Sequence, residues 1–546
     1  MLRLTELKLP LDHSGDALRD AVLTRIGIPA DDLIGLTIAR RGYDARRRSA
    51  IGLVYAVDVE LRDEPAVLAA HPALRVTPDT RYRLPVRVQG QDARPVVIGT
   101  GPCGLMAALT LAEMGFRPLI LERGKLVRER TRDTWGLWRR GVLNPESNVQ
   151  FGEGGAGTFS DGKLYSGIKD PRHLTRKLLH EFVQAGAPEE ILIDSKPHIG
   201  TFRLVTVVES IRKKIEALGG DYRFGARVDD IVLDEDRHIR GLILADGQHI
   251  DANRVVLAIG HSARDTFRML FDHGVYIEAK PFSIGVRIEH PQSLIDRARF
   301  GAFAGHPLLG PADYKLVHHA GNGRPVYSFC MCPGGRVVAA TSEIGCVATN
   351  GMSQYSRAEF NANAGIVVGI GPADYPGDPL AGIAFQQRWE RAAFQAGGGT
   401  YAAPAQTVGD FLAARASVAL GDVVPSYKPG VVPADLAACL PGFAIDAIRE
   451  ALTRFARDIP GFAMHGAVLT GVETRTSSPI RIGRDAGGQS LNTKGLFPAG
   501  EGAGYAGGIM SAGVDGIRIA EAVASSLTGI ALEERMTRGE GSVTYG

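Results

Sequence analysis

The chain has few cysteines and almost no excess charge, and each shortage excludes a class of protein. Its 546 residues include five cysteines, too few and too scattered for a disulfide-built scaffold. None of them has the Cys-x-x-Cys spacing of a structural zinc or thioredoxin-like site, so we expect no metal. The formal net charge is +2, whereas dedicated nucleic-acid-binding domains are strongly basic, so a nucleic-acid partner is not expected.

Long apolar segments are also missing. The uncharged run from Val96 to Ala112 contains several glycines and Pro102, and it is shorter than the roughly 20 apolar residues that a membrane span needs. The first residues, MLRLTELKLPLDHSGD, contain acids and lack an apolar core, which is not typical of a signal peptide. We therefore expect a soluble cytoplasmic protein without a membrane span.

Glycine is what the chain has in excess. It accounts for 68 of 546 residues, about 12% against a usual 7% or so. Two glycine-rich stretches, Gly99-Thr100-Gly101-Pro102-Cys103-Gly104 and Gly500 to Gly508, lie about 400 positions apart. A ligand that needs both must be long, and flavin adenine dinucleotide (FAD) meets that demand.

The first stretch has the surroundings of a dinucleotide-binding turn. An apolar strand, Val96 to Ile98, precedes it, a helical pattern through Met114 follows, and Leu119 to Glu122 forms the next strand. We expect the three glycines to permit the tight turn, the approach of a pyrophosphate and the packing of helix on strand. The helix N-terminus would face the phosphates, and the Glu122 carboxylate would accept hydrogen bonds from ribose hydroxyls.

Further cofactor contacts are predicted along the chain. The glycine-dense loop from Gly152 to Lys163 suggests backbone lying against a flat ligand, and the strand from Val255 ends at Gly260. Glu501 is expected to hold the ribityl chain, and the helix opened by Gly508 to point at the flavin ring. The full cofactor set is Gly99, Gly101, Pro102, Cys103, Gly104, Glu122, Arg123, Gly154, Gly155, Thr158, Val228, Ala258, Gly260, Gly500, Glu501, Gly508 and Ile509.

Four side chains are candidates for catalysis, each with a plainer alternative. Lys163 supplies positive charge near a reduced flavin or only extends to solvent. His261 lies near the flavin edge or has a packing role. Cys330 and Cys332 take part in redox chemistry or are simply buried, since a disulfide across one residue is strained and rare. No Ser-His-Asp or nucleophile-elbow pattern occurs in the sequence.

Several longer strings carry a family resemblance that covers nearly the whole chain. They are Asn148 to Leu164 (NVQFGEGGAGTFSDGKL), Pro197 to Thr201 (PHIGT), Phe329 to Gly335 (FCMCPGG), Asn350 to Ser353 (NGMS) and Gly500 to Ile509 (GEGAGYAGGI). With these strings the chain resembles the bacterial and plastid FAD-dependent dehydrogenases of uncharacterized function, in the glutathione-reductase-type (GR2-like) flavoprotein superfamily. The resemblance implies FAD binding and the fold but supplies no substrate. Phe202 departs from the family pattern, where an acidic residue follows the PHIGT string.

The predicted fold is α/β, with four segments. Residues 1–90 form a ferredoxin-like α+β module with β-α-β-β order, and Arg40-Arg48 forms a charged loop between its last two strands. Residues 91–270 are the first part of a Rossmann-type FAD-binding domain, residues 271–470 an inserted α+β cap or substrate domain, and residues 471–546 the C-terminal part of the FAD-binding domain.

The leading hypothesis is an FAD-dependent oxidoreductase that passes a hydride or two electrons between non-covalent FAD and a small molecule. Gly369-Ile370-Gly371 lacks a third glycine, so we predict no built-in pyridine-nucleotide domain and at most transient NAD(P)H binding. One alternative is an NAD(P)H-fed flavin monooxygenase. Another is a flavin-containing binding or scaffold protein that docks a partner, for example RNA, on Arg40-Arg48. The substrate and the electron donor or acceptor stay open.

Overall fold

The computed structural model describes residues 1–89 and 94–530 as a mixed α/β structure. The N-terminal module consists of β1 (Leu2–Pro10), α1 (Ala17–Ile26), β2 (Leu33–Asp44), β3 (Gly52–Leu61), α2 (Glu64–Ala70) and β4 (Arg75–Val76). Its strands form an antiparallel sheet in the order β2-β3-β1-β4. Alternate residues of β3 and the apolar face of α1 are buried together, because a strand buries every second side chain and a helix every third or fourth.

The arginine-rich segment corrects the sequence prediction. The loop was expected to begin at Arg40, but β2 continues to Asp44 and pairs with β3 over this stretch. The outer edge of β2 is also paired, since Arg41 exchanges backbone hydrogen bonds with Ile193 and Ser195. Long polar side chains suit this position because the backbone pairs on both sides while the charged ends reach solvent.

The second unit contains a parallel sheet and the helices that cover it. Its elements are β5 (Val96–Ile98), α3 (Pro102–Glu113), β6 (Leu119–Glu122), α4 (Val127–Arg140), α5 (Leu174–Gln184), α6 (Thr201–Ala217), β7 (Asp221–Phe224), β8 (Val228–Leu233), β9 (Ile239–Leu244), β10 (His249–Asp251), β11 (Val255–Leu257), α7 (Arg264–Asp272) and β12 (Ile277–Ala279). Strands β8, β9 and β10 form a separate antiparallel sheet.

The third unit is an eight-stranded, mostly antiparallel sheet with four helices. Its elements are β13 (Phe282–Pro291), α8 (Gln292–Phe300), β14 (Val317–His319), β15 (Pro325–Ala339), β16 (Thr349–Met352), β17 (Asn361–Ile370), α9 (Ala381–Ala396), β18 (Ala403–Thr407), α10 (Val408–Leu412), β19 (Val431–Pro433), α11 (Gly442–Asp458) and β20 (Val468–Glu473). The strand order is β14-β15-β17-β13-β20-β18-β19, with β16 beside β15. We call this unit the cap.

The chain then returns to the parallel sheet through β21 (Ile480–Ile482), β22 (Leu496–Pro498) and α12 (Ile509–Thr528). The complete parallel sheet has the order β22-β11-β5-β6-β7. One face, with Val97 and Val256, packs on α3, α5, α6 and α12, and the other, with Val96 and Val255, packs on the β8–β10 sheet and α7. Near-continuous apolar strands are typical of a parallel sheet buried on both faces.

One boundary differs from the expected one, which starts the cap at residue 271. The cap sheet begins at Phe282, and the preceding strand β12 pairs with β21 outside the cap sheet. Helix α12 begins at Ile509, directly after Gly508. Because Gly504 and Gly508 both have left-handed φ angles, 86° and 90°, the chain between them does not continue a helix.

Over residues 1–89 and 94–530, no helix combines the length and the apolar character that crossing a bilayer requires.

The packing of α12 on α3 leads to a first prediction. A Cβ added at Gly516 would lie 2.1 Å from the carbonyl oxygen of Cys103, so Gly516→Ala must push the two helices apart. We expect the free energy of unfolding to fall by about 1–3 kcal/mol, measured by urea denaturation. The matched control is Gly442→Ala at the start of α11, where a Cβ enters open space and the variant is expected to unfold like the wild type. Equal stability of Gly516→Ala and Gly442→Ala would contradict this account of the helix contact.

Candidate cofactor site

The two glycine-rich stretches meet in one cavity. It has a volume of about 400 Å³ and opens at the carboxyl ends of the parallel strands β5, β6, β11 and β22, where open α/β sheets bind their ligands. Residues 99–103 line one part of it and residues 507–512 another. Any long molecule in this cavity therefore touches both stretches.

The turn between β5 and α3 brings backbone close to backbone. Gly99 has φ of 97°, and a Cβ there would lie 2.4 Å from the Ala258 carbonyl oxygen. A Cβ at Gly104 would lie 1.9 Å from the Gly99 carbonyl oxygen, so this glycine packs the helix on the turn, behind the cavity wall. Pro102 and Cys103 are in the lining and open α3, whose first N–H groups have no partner within the helix and favour an anion.

Glu122, which the sequence predicts to contact ribose hydroxyls, bonds backbone groups of the chain itself. The side chain lines the cavity and is buried. One carboxylate oxygen accepts from the backbone N–H and hydroxyl of Thr100 at 3.0 and 2.6 Å, and the other from the N–H groups of Gly124 and Gly152 at 2.9 and 3.0 Å. All four lone-pair positions are thus engaged. Glu122 holds three loops of the site together, and a ribose contact would require it to give up one of these bonds.

Arg123 is held at the edge of the cavity by acidic neighbours. Its guanidinium donates to Glu146 at 2.9 Å and to Asp265 at 2.9 Å, and it lies 4.1 Å above the Phe151 ring. These contacts fix the guanidinium at the cavity edge and balance its charge within the chain.

The glycine-dense loop is shaped by a buried arginine that sequence reasoning missed. Arg130 of α4 is fully buried and donates to the carbonyls of Asn148, Val149 and Glu153, each at 2.7 Å. Burial lowers the pKa of Arg130 to about 10. The spacing of Arg130 to the loop carries no motif, so only the folded chain could reveal this anchor.

The loop contributes part of its predicted residues to the cavity. Gly155 is in the lining and faces Gly101, and a Cβ at Gly155 would lie 2.7 Å from the Gly101 Cα. Gly154 and Thr158 lie behind the wall, against Val208 of α6. The Thr158 hydroxyl is buried and has no hydrogen-bond partner within the described chain.

The second glycine stretch is organised by Asp515 of α12, another residue that the sequence did not single out. Its carboxylate accepts from the Gly500 N–H at 2.7 Å and from two guanidinium nitrogens of Arg484 at 2.9 and 2.6 Å. This fixes the second glycine stretch to the helix that follows it. Gly508 and Ile509, at the N-terminus of α12, are in the lining.

Glu501 and His261 lie next to each other in the cavity wall. The Glu501 carboxylate lies 3.4 Å from His261 Nδ1, and both side chains line the cavity. His261 Nε2 is buried and has no hydrogen-bond partner in the described residues. An orphaned donor or acceptor in a cavity wall is satisfied when a polar ligand occupies the cavity. The remaining predicted contacts, Val228, Ala258 and Gly260, also belong to the lining.

The candidate catalytic residues fall into two groups. Lys163 and Cys330 line the cavity on the side of the cap, whereas Cys332 is fully buried behind Cys330 in β15. The Lys163 ammonium donates to the Met331 carbonyl and lies 3.3 Å from the Asp161 carboxylate. Lys163 is therefore tied into the wall between the loop and the cap, and the alternative that it only extends to solvent is wrong.

A buried ion network joins the cap to this site. Glu390 of α9 is fully buried and accepts from Arg264 of α7 at 2.9 Å and from Arg475, after β20, at 3.0 Å. Burial raises the pKa of Glu390, but the charges of Arg264 and Arg475 outweigh burial and hold it below the usual range. Arg475 also lines the cavity and donates to Ser262 at 3.1 Å, so the cap position and the cavity wall are set by the same ions.

The other glycine pair belongs to the cap. Gly369 to Gly371 ends the antiparallel strand β17 and is followed by a short 3₁₀ turn, Pro372–Asp374. A Cβ at Gly369 would lie 2.9 Å from the Pro325 ring, which indicates close strand packing. Elsewhere, no group of three or more His, Cys, Asp or Glu side chains that suits a metal ion occurs in residues 1–89 and 94–530.

The lining fits an elongated dinucleotide. It offers the neighbouring N-termini of α3 and α12, glycine backbone that carries no side chains, and the buried Nε2 of His261, which has no hydrogen-bond partner in the described residues. Phosphates are favoured at one helix start and developing negative charge at the other.

Comparison with known sequences agrees with this chemistry. Residues 281–476 match the family described as "FAD-dependent protein, C-terminal domain-like", and residues 1–60 match a domain of unknown function. An uncharacterized protein of Clostridium beijerinckii is 44% identical over 525 residues, covering 95% of this chain and 98% of that protein. The C-terminal domain match supports FAD as the cofactor.

Solved structures show weaker likeness. The glycine oxidase of Geobacillus kaustophilus matches 81% of this chain and 97% of its own with 14% identity and a TM-score of 0.35. A flavocytochrome c3 fumarate reductase in an open conformation matches 80% of this chain and 78% of its own with 11% identity and a TM-score of 0.33. TM-scores of this size do not establish a shared fold.

The role of Glu122 leads to a prediction. In Glu122→Gln, an amide NH₂ replaces one acceptor oxygen and faces N–H donors, so the three loops lose charge-assisted hydrogen bonds. We expect the free energy of unfolding to fall by about 2–3 kcal/mol and the affinity for FAD to fall at least about tenfold, which corresponds to 1.4 kcal/mol. Urea denaturation and flavin-fluorescence titration measure the two effects.

The exposed Glu129 of α4 provides the control. Glu129→Gln makes the same chemical change on the same unit and is expected to leave both quantities unchanged. If Glu122→Gln also left the free energy of unfolding and the FAD affinity unchanged, the Glu122 carboxylate would not be what holds the three loops together.

Proposed function

This chain belongs to the same family as the uncharacterized Clostridium beijerinckii protein, and we propose from its cavity that it is an FAD-dependent oxidoreductase. The enzyme moves two electrons, as a hydride, between a small substrate and non-covalently held FAD. The two segments of the chain that build the parallel-sheet unit, one before the cap and one after it, form a Rossmann-type FAD domain of the glutathione-reductase type. Residues of the cap face the substrate.

One observation carries this proposal: the cavity lined by residues 99–103 is the same cavity that residues 507–512 line. The two helix N-termini lie side by side in this cavity, since a Cβ on Gly157 would contact both Pro102 and Ile509. Two neighbouring helix N-termini suit a ligand that carries negative charge on a pyrophosphate and, when reduced, on an electron-accepting ring.

In this proposal, the side chains and helix ends of the protein bind the cofactor and orient it. The α3 N-terminus binds the pyrophosphate, Arg123 borders the adenosine end, and Glu501 with His261 accepts and donates hydrogen bonds along the ribityl chain. Bound FAD supplies the hydride acceptor chemistry itself. Electrostatics, orientation and water exclusion are what the protein adds.

The α12 N-terminus and Lys163 place positive charge where a reduced ring carries negative charge. A helix N-terminus stabilises such charge by about 0.3–1 kcal/mol. The ammonium of Lys163 adds to this because its pKa is raised: burial lowers it, but the neighbouring Cys332, Asp161 and Cys330 outweigh burial. Lys163 thus stays protonated throughout the physiological pH range and favours the reduced cofactor.

The arginine-rich segment favours no second function. Arg41 is paired with Asp194 at 2.8 Å and Arg46 with Asp44 at 2.6 Å, so part of its charge is neutralised within the chain. A solvated strand end and turn explain it sufficiently.

The proposal predicts a yellow protein that can be reduced. Protein incubated with FAD and separated from free ligand should retain flavin absorbance at close to one FAD per chain, and anaerobic photoreduction should bleach it. Anaerobic mixing with a metabolite library, following the same absorbance, then identifies the substrate. Protein that stays colourless with excess FAD would overturn the proposal.

The α12 N-terminus gives a sharper test with a matched control. Gly508 and Gly529 flank the two ends of the same helix, both have left-handed φ angles (90° and 70°), and a Cβ at either enters open space. Alanine costs about 1 kcal/mol of backbone strain at Gly529, where ψ is 3°, and more at Gly508, where ψ is 173° and the conformation is nearly confined to glycine. Urea denaturation of both variants therefore accompanies the titration. Because only Gly508 lines the cavity, we expect Gly508→Ala to weaken FAD binding about tenfold in a fluorescence titration, and Gly529→Ala to bind FAD like the wild type. Equal affinities in the two variants would place the FAD ring elsewhere.

A further inference from the structure

Cys330 differs from the other four cysteines in its surroundings. Cys103, Cys332, Cys346 and Cys439 are all buried, whereas Cys330 is only partly buried. It lines the cavity beside Lys163, Phe329 and Asn350. A thiol in this place meets whatever molecule enters from the side of the cap.

The backbone is bent to put the thiol there. Cys330 has a left-handed φ of 43°, which is uncommon for a residue with a side chain. The pairing of β15 with β17 is irregular between Phe329 and Cys332. Such bulges re-aim a side chain next to active sites, and strain of this kind persists only where the surrounding structure holds it.

A second thiol supports the first. The Cys332 thiol donates to the Cys330 carbonyl oxygen at 3.3 Å, and that carbonyl also accepts from the Arg287 guanidinium at 3.2 Å. Both donors hold the backbone carbonyl of Cys330, so they fix the bend that presents its side chain. Lys163, on the loop side, lines the same cavity.

The charged groups around Cys330 carry one excess positive charge. Three cations face the pair, Lys163, Arg287 and Arg357, against two acids, Asp161 and Glu473. Asp161 is shared between Lys163 and Arg357, and Glu473 is paired with Arg287 at 3.0 Å. One more anion at Cys330 balances the cluster.

The thiol pKa values follow this arrangement. The neighbouring Cys332 side chain holds the pKa of Cys330 well below its usual value, burial opposes this, and the charges of Lys163 and Arg287 lower the pKa further. Burial raises the pKa of Cys346 to about 11 and of Cys439 to about 12, and it raises the pKa of Cys103 as well. The pKa of Cys332 is raised by the neighbouring Cys330 side chain and by burial.

We propose that Cys330 is a nucleophilic thiol at the substrate end of the cavity and that it reacts with conjugated carbonyl compounds, with Cys332 and Lys163 as its positioning residues. In this reaction the Cys330 sulfur donates an electron pair to the terminal alkene carbon and forms a carbon–sulfur bond. The displaced π electrons move to the carbonyl oxygen, and a proton from solvent then adds to the neighbouring carbon. The addition has no leaving group and needs no oxidant.

Lys163 suits the charge that develops. Two contacts engage its ammonium, the Met331 carbonyl and the Asp161 carboxylate, and an ammonium has three donors. The third can meet the carbonyl oxygen of a molecule bound against Cys330. That such compounds are substrates of the enzyme rests on the proposed function. The reactivity of the Cys330 thiol does not, because it is measured in protein without FAD.

The test uses N-ethylmaleimide, a conjugated carbonyl compound, on the FAD-free native chain. After brief labelling, digestion and tandem mass spectrometry give the rate at each cysteine. At pH 7 we expect Cys330 to react at least about tenfold faster than each of the other four, which serve as internal controls. Between pH 8 and pH 6 its rate should fall less than about threefold, whereas a free thiol with a pKa near 8.5 falls about 75-fold.

Variants separate positioning from simple exposure. Lys163→Met and Cys332→Ala should each restore a steep fall in Cys330 labelling between pH 8 and pH 6, and Lys163→Arg should retain the flat profile. Circular dichroism checks that each variant is folded, and the wild-type profile decides the matter even where a variant is not. Uniform labelling of all five cysteines, or a 75-fold fall at Cys330, would falsify the proposal.

The last experiment measures whether FAD protects Cys330 from labelling. Because the thiol and the cofactor share one cavity, saturating FAD should slow the labelling of Cys330 at least about threefold and leave Cys439 unchanged. An unchanged Cys330 rate in protein that binds FAD overturns its position in the cavity. Fast, pH-independent labelling in protein that binds no FAD leaves the reactive thiol standing and removes only the proposed function.

Discussion

The close contact between α12 and α3 is the interaction on which the site depends. Gly516 lies against the Cys103 carbonyl at a distance that leaves no room for a side chain, and Gly513 lies beside Met106 and Leu178. Small residues let the two helices approach until their N-termini border one cavity. Since α3 follows the first strand of the parallel sheet and α12 ends the described chain, this contact joins segments that folding must bring together over a long loop, which costs entropy that the buried apolar surface offsets.

Buried charges then set the shape of the cavity. Glu122 and Arg130 each hold several loop backbones by charge-assisted hydrogen bonds, and Glu390 joins Arg264 to Arg475 between the cap and the parallel-sheet unit. Buried ion pairs add little net stability, but removing one partner is costly because a charge stays uncompensated. They specify where the loops lie, and a ligand that must contact loops from two units needs that specificity.

Particular elements show how far the sequence could be interpreted. The strand, turn and helix from Val96 to Glu113 were predictable because a buried apolar run, three spaced glycines and a helical period all agree. The extension of β2 through Arg40 to Asp44 was not, since its hydrogen bonds go to β3 on one side and to residues 193–195 on the other. The anchors Arg130 and Asp515 were missed for the same reason: each acts on residues that are close only in the folded chain.

The sequence by itself determined that the chain has a glycine-rich turn between a strand and a helix at Gly99 to Gly104, a second glycine-rich helix start near Gly508 and a Cys-x-Cys pair, because these depend on local backbone conformation and residue spacing. Only the tertiary structure decided that the two glycine stretches share one cavity, that Glu122 holds loops, and that Cys330 faces the cavity while Cys332 is buried behind it. Those facts depend on distances between residues far apart in the chain, which are set by helix packing and buried ion pairs.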